Sequence, residues 1–510
     1  MSRRIIAVAG SLLLVLALAV PASADPHRKH GRGFQTDKDP YLTLSDEVAR
    51  GSSLTPIISV GERVGDFMFE GIPDGIGLAP AANGKVQVFV THEQSRVPFL
   101  GTADFEDSSV SKLVLDRRAR VRWADVALPP SAGFIRFCSA FMAGPAEGFK
   151  RYTFFANEES NDVIDVPDGA TYGPDPSVAP QRQAGYAVVY DVSSGRYTQV
   201  AGMGRLNHEN SVVIPGRWRR HSIWTTDDTF TAGTSQLYMY LTGSRKDLFR
   251  DRGSLWAFQV TRTDEGRVDP FEPFNEANDY LDIQPGDDWK GRFIRVPSDI
   301  ARGETDQRPQ DALEQWSNEN NVFQFIRLED VATDDHHPRT VYVADTGATR
   351  VVPDPATGRM HRPADAVGLA DNGRIFKFVV SKHNPRRVTS FSVFADGDVP
   401  ETDPTYVEMT SPDNIDTSRK SLMVQEDTAN ANILRHDFRS GDWSTVATVV
   451  NADGESSGIV DASRWFGKGT WLSTVQIHDP AQWVDSEVVD ETLTLKREDG
   501  QLLLLRVPGS

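Results

Sequence analysis

Short apolar runs separated by turn residues recur from about Tyr41 to the end of this 510-residue chain. The runs are rich in β-branched and aromatic side chains and are bounded by Gly, Asp, Asn or Pro, which is typical of β-strands. The clearest lie at 85–90, 187–190, 236–240, 255–260, 340–343, 374–380 and 501–507. Helical periodicity is scarce, and 244–251 and 311–316 are the best short helix candidates. The pattern predicts an all-β protein.

Many short strands without alternating helices favour a β-propeller, and we expect five to seven blades with loop insertions. A pair of large β-sandwiches is the alternative fold. The chain shows no strict internal repeat, but blades diverge in sequence, so this counts only mildly against a propeller. The segment 162–182 is rich in Pro, Gly and Asp and is predicted to be a surface insertion.

The N-terminal segment has the features of an export signal. Arg3 and Arg4 precede an apolar run over 5–20, and Ala-Ser-Ala at 22–24 fits a cleavage site. Paired arginines are compatible with either Sec or twin-arginine export. We therefore predict a cleaved signal peptide at 1–24, a flexible leader at 25–40 and one domain at 41–508. The mature protein is expected to be secreted or extracytoplasmic.

The net charge and the cysteine content restrict the ligands and the reactions that the protein can support. The formal net charge of −18 repels nucleic acid and anionic lipid, and it also repels a phosphate substrate unless cations neutralise part of the acid. Cys138 is the only cysteine of the chain, so it cannot form an internal disulfide. It is either an inert buried residue or a thiolate kept for chemistry.

Acidic residues recur where the predicted strands end. The residues in this context are Glu93, Glu158, Glu159, Glu209, Asp227, Asp228, Asp413, Asp416, Glu426 and Asp427. One end of every inner strand of a propeller points to a common opening, so these acids are expected to converge. Converging carboxylates raise one another's pKa unless a cation lies among them. Oxygen ligands suit calcium, and a thiolate suits a softer metal.

One motif points to different chemistry. Gly-Glu-Ser-Ser-Gly at 454–458 fits the Gly-x-Ser-x-Gly elbow of serine hydrolases. That fold needs alternating helices, and it needs an acid and a histidine well after the serine. Only about fifty residues follow Ser456, which favours an ordinary loop over an elbow.

Several short motifs together resemble the PhoX-type alkaline phosphatases, a family of exported bacterial proteins. They are Arg-Phe-Cys-Ser at 136–139, Ala-Asn-Glu-Glu at 156–159, Gly-Arg-Leu-Asn-His-Glu-Asn at 204–210, Phe-Ile-Arg-Leu-Glu-Asp at 325–330, Ser-Pro-Asp-Asn at 411–414, Gly-Glu-Ser-Ser-Gly-Ile-Val-Asp at 454–461, Val-Gln-Ile-His at 475–478 and Gly-Gln-Leu-Leu at 500–503. They occur in the family's order and cover most of the mature chain.

The resemblance implies a propeller phosphomonoesterase with calcium and iron held by carboxylates and one cysteine. The metal ligands expected from it are Cys138, Glu93, Glu158, Glu159, Glu209, Asp413 and Asn414. The expected catalytic residues are Arg327, which would grip the phosphate, and Glu329. Expected partners are small-molecule phosphate esters, with no nucleic acid and no membrane after signal cleavage, and we expect a monomer.

The chain departs from the family pattern at three places. Residues 141–148 replace a Pro-Trp-Gly-Thr-Trp run, Leu328 stands where the family has proline, and Thr-His-Glu-Gln at 91–94 replaces Asn-His-Glu. These departures indicate a divergent branch. Two other functions stay open at this point: a calcium-stabilised binding module without activity, and a propeller lactonase or phosphodiesterase.

Overall fold

The computed structural model shows six four-stranded antiparallel blades arranged as a β-propeller. The strands of each blade, from the innermost to the outermost, are Pro73–Pro80, Val86–His92, Ser109–Leu115 and Val121–Leu128 in blade 1; Phe137–Ala143, Thr153–Glu158, Ala187–Asp191 and Tyr197–Gln199 in blade 2; His208–Ile214, His221–Asp227, Ser235–Thr242 and Gly253–Thr263 in blade 3; Leu328–Thr333, Thr340–Asp345, Arg374–Val380 and Arg387–Asp396 in blade 4; Pro412–Thr417, Ser421–Glu426, Asn432–Asp437 and Trp443–Val449 in blade 5; Gly454–Asp461, Thr470–Ile477, Asp499–Arg506 and Ser53–Ser59 in blade 6.

The described residues are 33–165, 181–229, 235–270, 277–304, 308–347, 352–353, 360–361 and 372–510. The predicted signal peptide, residues 25–32 of the predicted leader and most of the predicted insertion lie outside this part of the chain. Within the leader, Phe34 exchanges two backbone hydrogen bonds of 2.8 Å with Val121 on blade 1. None of the helices described has the length and apolarity that crossing a membrane requires.

Two features join the blades. The early strand Ser53–Ser59 pairs with the C-terminal strand Asp499–Arg506, so both ends of the described chain contribute to blade 6. An additional strand, Trp289–Arg295, pairs with the outermost strands of blades 3 and 4 and merges their sheets. Each inner strand also contacts the inner strands of the two neighbouring blades, which closes the ring.

Smaller elements surround the blades. The remaining strands are Leu42–Leu44, Arg63–Val64, Phe67–Met68, Thr102–Asp104, Val163–Asp165, Gln181–Gln183, Gly266–Arg267, Gln324–Phe325, Val352–Pro353, Met360–His361, Asp485–Val488 and Thr494–Arg497. The α-helices are Arg245–Leu248, Ser298–Arg302, Pro309–Glu319 and Ser463–Phe466, and the 3₁₀ helices are Ala82–Gly84, Pro130–Ala132, Ala201–Met203 and Pro480–Gln482.

The hydrophobic core is distributed between blades, because each sheet buries both faces. The largest cluster packs Trp224 and Phe258 of blade 3 against Phe378 and Phe391 of blade 4. This double burial explains the near-continuous apolar runs in the sequence. The all-β propeller prediction is confirmed, and the six blades fall within the predicted range of five to seven. Both predicted helices are present, as Arg245–Leu248 and Pro309–Glu319.

Candidate active site

Equivalent positions of the six blades meet at one end of the central channel. In each blade these are the second residue of the inner strand and the first residue after the second strand. The inner-strand residues, in blade order, are Asp74, Cys138, Glu209, Glu329, Asp413 and Glu455. The residues after the second strand are Glu93, Glu159, Asp228, Thr346, Asp427 and His478. The propeller therefore has a sixfold positional repeat that the sequence does not show as residue identity.

A local irregularity of the inner strands accompanies this arrangement. In blades 1 to 5 the register with the second strand shifts directly after the first residue pair, for example between Phe137 and Ala140, or between His208 and Ser211. Such bulges change the direction of the side chains next to them. In these five blades the second residue of the inner strand lies within the bulge, and its side chain lines the channel end. In blade 6, Glu455 lines the cavity from a regular part of its strand.

The side chains enclose a cavity of about 420 Å³. Eleven of the twelve equivalent positions line it, the exception being Thr346. Further lining comes from Phe99, Arg136, Ser160, Asn161, Asp162, Asn207 and Arg327. Nine of these lining residues are aspartate or glutamate at the equivalent positions, so the cavity concentrates negative charge.

Three groups of potential metal ligands form a chain across the cavity. The groups are Asp74, Glu93 and Cys138; Cys138, Glu159 and Glu209; and Glu209, Glu329 and Asp413. Within each group the candidate ligand atoms lie within 4.8 Å of one another. Cys138 and Glu209 each belong to two groups, which links all three into one candidate centre.

Burial and mutual repulsion disfavour the ionised forms of these side chains. Burial, followed by the charge of Glu455, raises the pKa of Glu93 to about 7. Burial also raises the pKa of Glu209 to about 8, although Ser139 and Cys138 oppose the rise by hydrogen bonding. The Cys138 thiol has a pKa well above its ordinary value because of burial and the neighbouring Asp74 and Glu209. Without cations, several of these groups therefore hold protons at neutral pH.

The residues present fit a metal centre. Asp74 Oδ1 and Asp413 Oδ1 are buried and accept no hydrogen bond from the described residues, which is costly unless another ligand supplies the missing interaction. Carboxylate oxygens are ligands of calcium, and a thiolate among them suits a transition metal. Cations would also offset the repulsion that raises the pKa values.

Arg327 stands at the cavity wall in a fixed orientation. Its Nε donates to Asp228 Oδ1 at 2.7 Å and its Nη2 donates to Asp228 Oδ2 at 2.6 Å. Nη2 also lies 3.4 Å from Glu329 Oε1. Burial lowers the pKa of the Arg327 guanidinium, but the charges of Asp228 and Glu329 outweigh burial and raise this pKa well above its ordinary value. The guanidinium therefore stays charged beside the candidate metal ligands.

A second cationic side chain at the cavity wall is His478, which lies between two glutamates. Its Nδ1 lies 2.5 Å from Glu498 Oε2, and its Nε2 lies 3.6 Å from Glu455 Oε1. Burial lowers the pKa of His478, but hydrogen bonds to both glutamates outweigh this and raise it well above its ordinary value. Burial likewise raises the pKa of Glu455, but bonds with Asp427 and His478 bring it down to about 2. This group is an ion pair rather than a further cluster of protonated acids.

The structure brings together most of the predicted site residues. The ones that line the cavity are Cys138, Glu93, Glu159, Glu209, Asp413, Arg327 and Glu329. Glu158 and Asn414 do not line it. Asn414 Nδ2 donates to Ser139 Oγ at 2.5 Å, and Asn414 Oδ1 accepts from the Gly458 N–H at 2.5 Å.

Glu158 faces away from the cavity because side chains alternate along a strand. It is fully buried and pairs with Arg182, whose Nη2 donates to Glu158 Oε1 at 2.8 Å. Glu158 also accepts the backbone N–H groups of Ile135 and Tyr186, each at 3.1 Å. Its partners indicate a structural ion pair.

Sequence reasoning did not assign several residues of the cavity to the metal site. Asp228 and Asp427 were among the acids expected to converge but were not named as ligands. Glu455 was noted only in the motif at 454–458, which was expected to be a loop and is part of the inner strand Gly454–Asp461. Asp74 carried no such signal, because it follows Pro73 at the start of a strand instead of ending an apolar run. A similar spacing in blades 1 and 2 could have indicated Asp74. Asp74 precedes Glu93 by 19 residues, and Cys138 precedes Glu159 by 21 residues.

Comparison with known proteins agrees with this arrangement. A family model described as "Alkaline phosphatase PhoX" matches residues 145–466, which is more than half of the chain. No curated protein matches significantly. Among solved structures, Pseudomonas fluorescens PhoX in complex with vanadate, a transition-state analogue, has a TM-score of 0.61 and 13% sequence identity, covering 93% of this chain and 97% of its own.

A second solved structure is more distant. The GH93 α-L-arabinofuranosidase of Fusarium graminearum, complexed with arabinobiose, has a TM-score of 0.40 and 8% identity, covering 91% of this chain and 98% of its own. That similarity is too low to support an argument. The PhoX match, in contrast, extends over most of blades 2 to 6, so the resemblance inferred from short motifs is confirmed. The chain belongs to the alkaline phosphatase PhoX family.

Proposed function

We propose that this protein is an exported, metal-dependent phosphomonoesterase that hydrolyses small phosphate esters in the central cavity. The observation that carries the proposal is the chain of three ligand groups, joined through Cys138 and Glu209, next to the charged side chain of Arg327. Family membership supports the same chemistry. A cavity of about 420 Å³ suits a small-molecule ester.

The three ligand groups would hold the cations, with Cys138 favouring iron in its two groups and the all-carboxylate group favouring calcium. When bound, such cations neutralise phosphate oxygens and polarise the phosphorus atom. They also reverse the local sign of the potential, which allows a strongly acidic protein to accept an anionic substrate.

Arg327 would bind the phosphoryl oxygens. Asp228 fixes the plane of the guanidinium through two hydrogen bonds, and a pre-oriented guanidinium loses little entropy on binding an oxyanion. Glu329 belongs to the third ligand group and also lies 3.4 Å from Arg327 Nη2. We assign Glu329 the role of fixing the position of Arg327 relative to the metal ligands.

Two further cationic side chains complete the binding wall. Arg136 donates from Nη1 to Ser160 Oγ at 3.0 Å and also pairs with Asp162. His478 lies between Glu498 and Glu455, and both carboxylates favour its protonated form. Both residues line the cavity, so they add positive charge where the phosphate ester would enter.

The test is hydrolysis of p-nitrophenyl phosphate by the exported protein, supplied with calcium and ferric iron, before and after a chelator. We expect turnover that the chelator abolishes and the two metals restore, together with iron and calcium in metal analysis. Replacing Cys138 with serine should lower the bound iron, because serine offers no soft ligand.

Matched substrates separate the alternatives. Bis-p-nitrophenyl phosphate and a lactone should be turned over far more slowly than the monoester. Preferred hydrolysis of either would replace the proposal with a phosphodiesterase or a lactonase. Bound calcium without turnover of any substrate in a metal-replete sample would identify a binding module instead.

A further inference from the structure

The outer edge of blades 3 and 4 has a charge opposite to that of the whole protein. Two adjoining grooves of about 820 and 670 Å³ lie there and share Trp256, Asn384 and Arg386. The described residues that line these grooves include eleven arginines and lysines and no aspartate or glutamate. All eleven are exposed, and we call them the basic surface: Arg217, Arg219, Arg220, Arg262, Arg267, Lys290, Arg292, Arg295, Lys382, Arg386 and Arg387.

The strand register places some of these charges directly opposite one another. Arg262 pairs with Lys290 on one side and with Arg267 on the other. Arg292 lies on the strand that merges the two blades, and it pairs with Arg387 on the outermost strand of blade 4. Directly opposed side chains of an antiparallel pair lie about 5 Å apart at Cβ, and like charges there are destabilising.

Acids lie near this charge without pairing with it: Asp264 and Asp288 are two residues from Arg262 and Lys290, respectively, and the Asp288 N–H donates to Asp264 Oδ2 at 3.2 Å. None of the eleven side chains forms an ion pair with a described residue, and the nearest recorded polar contact is Arg292 Nε donating to Gln259 Oε1 at 3.1 Å. A surface that opposes like charges without compensation is suited to an anionic ligand, because binding relieves the repulsion.

We propose that the basic surface binds a linear polymer with an oxyanion on every unit, of which inorganic polyphosphate is the simplest example. Nine of the eleven side chains are arginines, whose planar fork matches phosphate in two-point contacts. Two grooves that share residues offer one extended path, which fits a polymer better than a single ion.

Other anionic partners fit less well. Bases of a single-stranded nucleic acid need open aromatic faces for stacking. In the grooves, Arg386 covers the Trp256 ring at 4.8 Å, Phe293 is buried, and Trp218 is half-buried against the core. A membrane surface needs apolar anchors, and none of the large exposed hydrophobic residues described lies in the grooves.

The basic surface shares no residue with the central cavity. The inference therefore stands apart from the proposed phosphatase activity. Orthophosphate added at equal total phosphate tests this separation, because a single phosphate competes for the cavity but not for an extended surface.

The experiment measures binding of fluorescently labelled long-chain polyphosphate to the full-length mature protein at several salt concentrations. Wild type is compared with Arg262→Gln/Arg292→Gln/Arg387→Gln, which removes the arginine shared by two opposed pairs and both members of the third pair. The matched control is Arg63→Gln/Arg117→Gln/Arg118→Gln, which changes three exposed arginines outside the grooves. Thermal unfolding without ligand reports whether each variant is folded.

We expect wild-type affinity to fall steeply with salt, as counterions are released on binding. The groove variant should bind at least about tenfold more weakly, and the control within about twofold of wild type. Without polyphosphate the groove variant should melt slightly above wild type, since repulsion has been removed.

Equal affinities of the wild type and the groove variant would overturn the proposal, as would an equal loss in the control. Competition by orthophosphate at equal total phosphate would place the ligand in the cavity and also overturn it. Tighter binding of single-stranded DNA or of anionic vesicles through the same three arginines, or salt-sensitive dimerisation lost in the groove variant, would assign the surface to a different partner.

Discussion

The central cavity and the basic surface both place side chains of like charge next to one another, but the cavity buries them and the surface leaves them in water. In the cavity, burial raises the pKa of Glu93 to about 7 and that of Glu209 to about 8. On the surface, exposed arginines keep their charge, and solvent weakens their repulsion. Repulsion between like charges therefore favours the protonated acids in the cavity, whereas on the surface it leaves a region of positive electrostatic potential.

This difference indicates how each region gains a ligand. The buried acids need cations before they can ionise together, so metal binding and deprotonation are coupled. The exposed arginines need no change of protonation and would respond mainly to salt. Four experiments test the contrast, in order of decreasing expected effect.

The adjacent residues Glu158 and Glu159 provide the strongest test. Glu158→Gln breaks a fully buried pair with Arg182 and should lower the free energy of unfolding by at least about 3 kcal/mol. Glu159→Gln removes one of several repelling acids and should not destabilise the metal-free protein. Chemical denaturation of both variants in chelator measures this, and a reversed order would mean that Glu158 faces the cavity.

Glu209→Gln tests the link between the ligand groups. Glu209 belongs to two of the three groups, so we expect kcat/KM for p-nitrophenyl phosphate to fall by at least about 100-fold, with less bound metal. Glu487→Gln, at an exposed position, serves as the control. Full metal content and activity in Glu209→Gln would remove Glu209 from the centre.

The pH dependence of stability sharpens the comparison further. The unfolded chain releases the Glu93 and Glu209 protons near their ordinary pKa of 4.5, whereas the metal-free folded protein holds them to about 7 and 8. The folded state then binds more protons over this window, so its free energy of unfolding should fall as pH rises from about 5 to 8, by roughly 2 kcal/mol or more.

Thermal unfolding across this pH range, in chelator and with calcium, measures the effect. With calcium the fall should be much smaller, because the cation replaces the protons. A metal-free protein that gains stability from pH 5 to 8 would show that these carboxyls ionise freely when the protein folds.

The smallest expected effect is on the surface. Arg387→Gln removes the charge opposite Arg292 and should raise the free energy of unfolding by a few tenths of a kcal/mol, about the size of an exposed cross-strand charge pair. The gain should vanish at high salt. Denaturation curves at low and high salt measure it, and a loss of stability at low salt would show that Arg387 is neutralised.

The sequence was sufficient for the fold class and for much of the cavity. Bounded β-branched and aromatic runs predicted the strands, such as 374–380, which the structure shows as Arg374–Val380. Acids at strand ends predicted Glu93 and Glu159. Glu209 was also expected where a strand ends, but it lies at the start of the inner strand His208–Ile214. Short motifs identified the family, because they contain residues that line the cavity.

The sequence did not show which side chains point into the cavity. Glu158 and Glu159 are identical in type and adjacent, and only the alternation of the strand that ends at Glu158 decides which one reaches the cavity. Asp74 enters the site through a bulge after Pro73, and no local pattern marks that bulge.

The sequence by itself determined that this protein would be an acidic propeller with a single thiol and acids at the ends of its strands. Only the tertiary structure decided that Asp74 and Glu455 join those acids, and that Arg292 meets Arg387 across a strand pair. The reason is physical: strand propensity and periodicity are local properties, whereas the convergence of charge depends on register and on ring closure between distant segments.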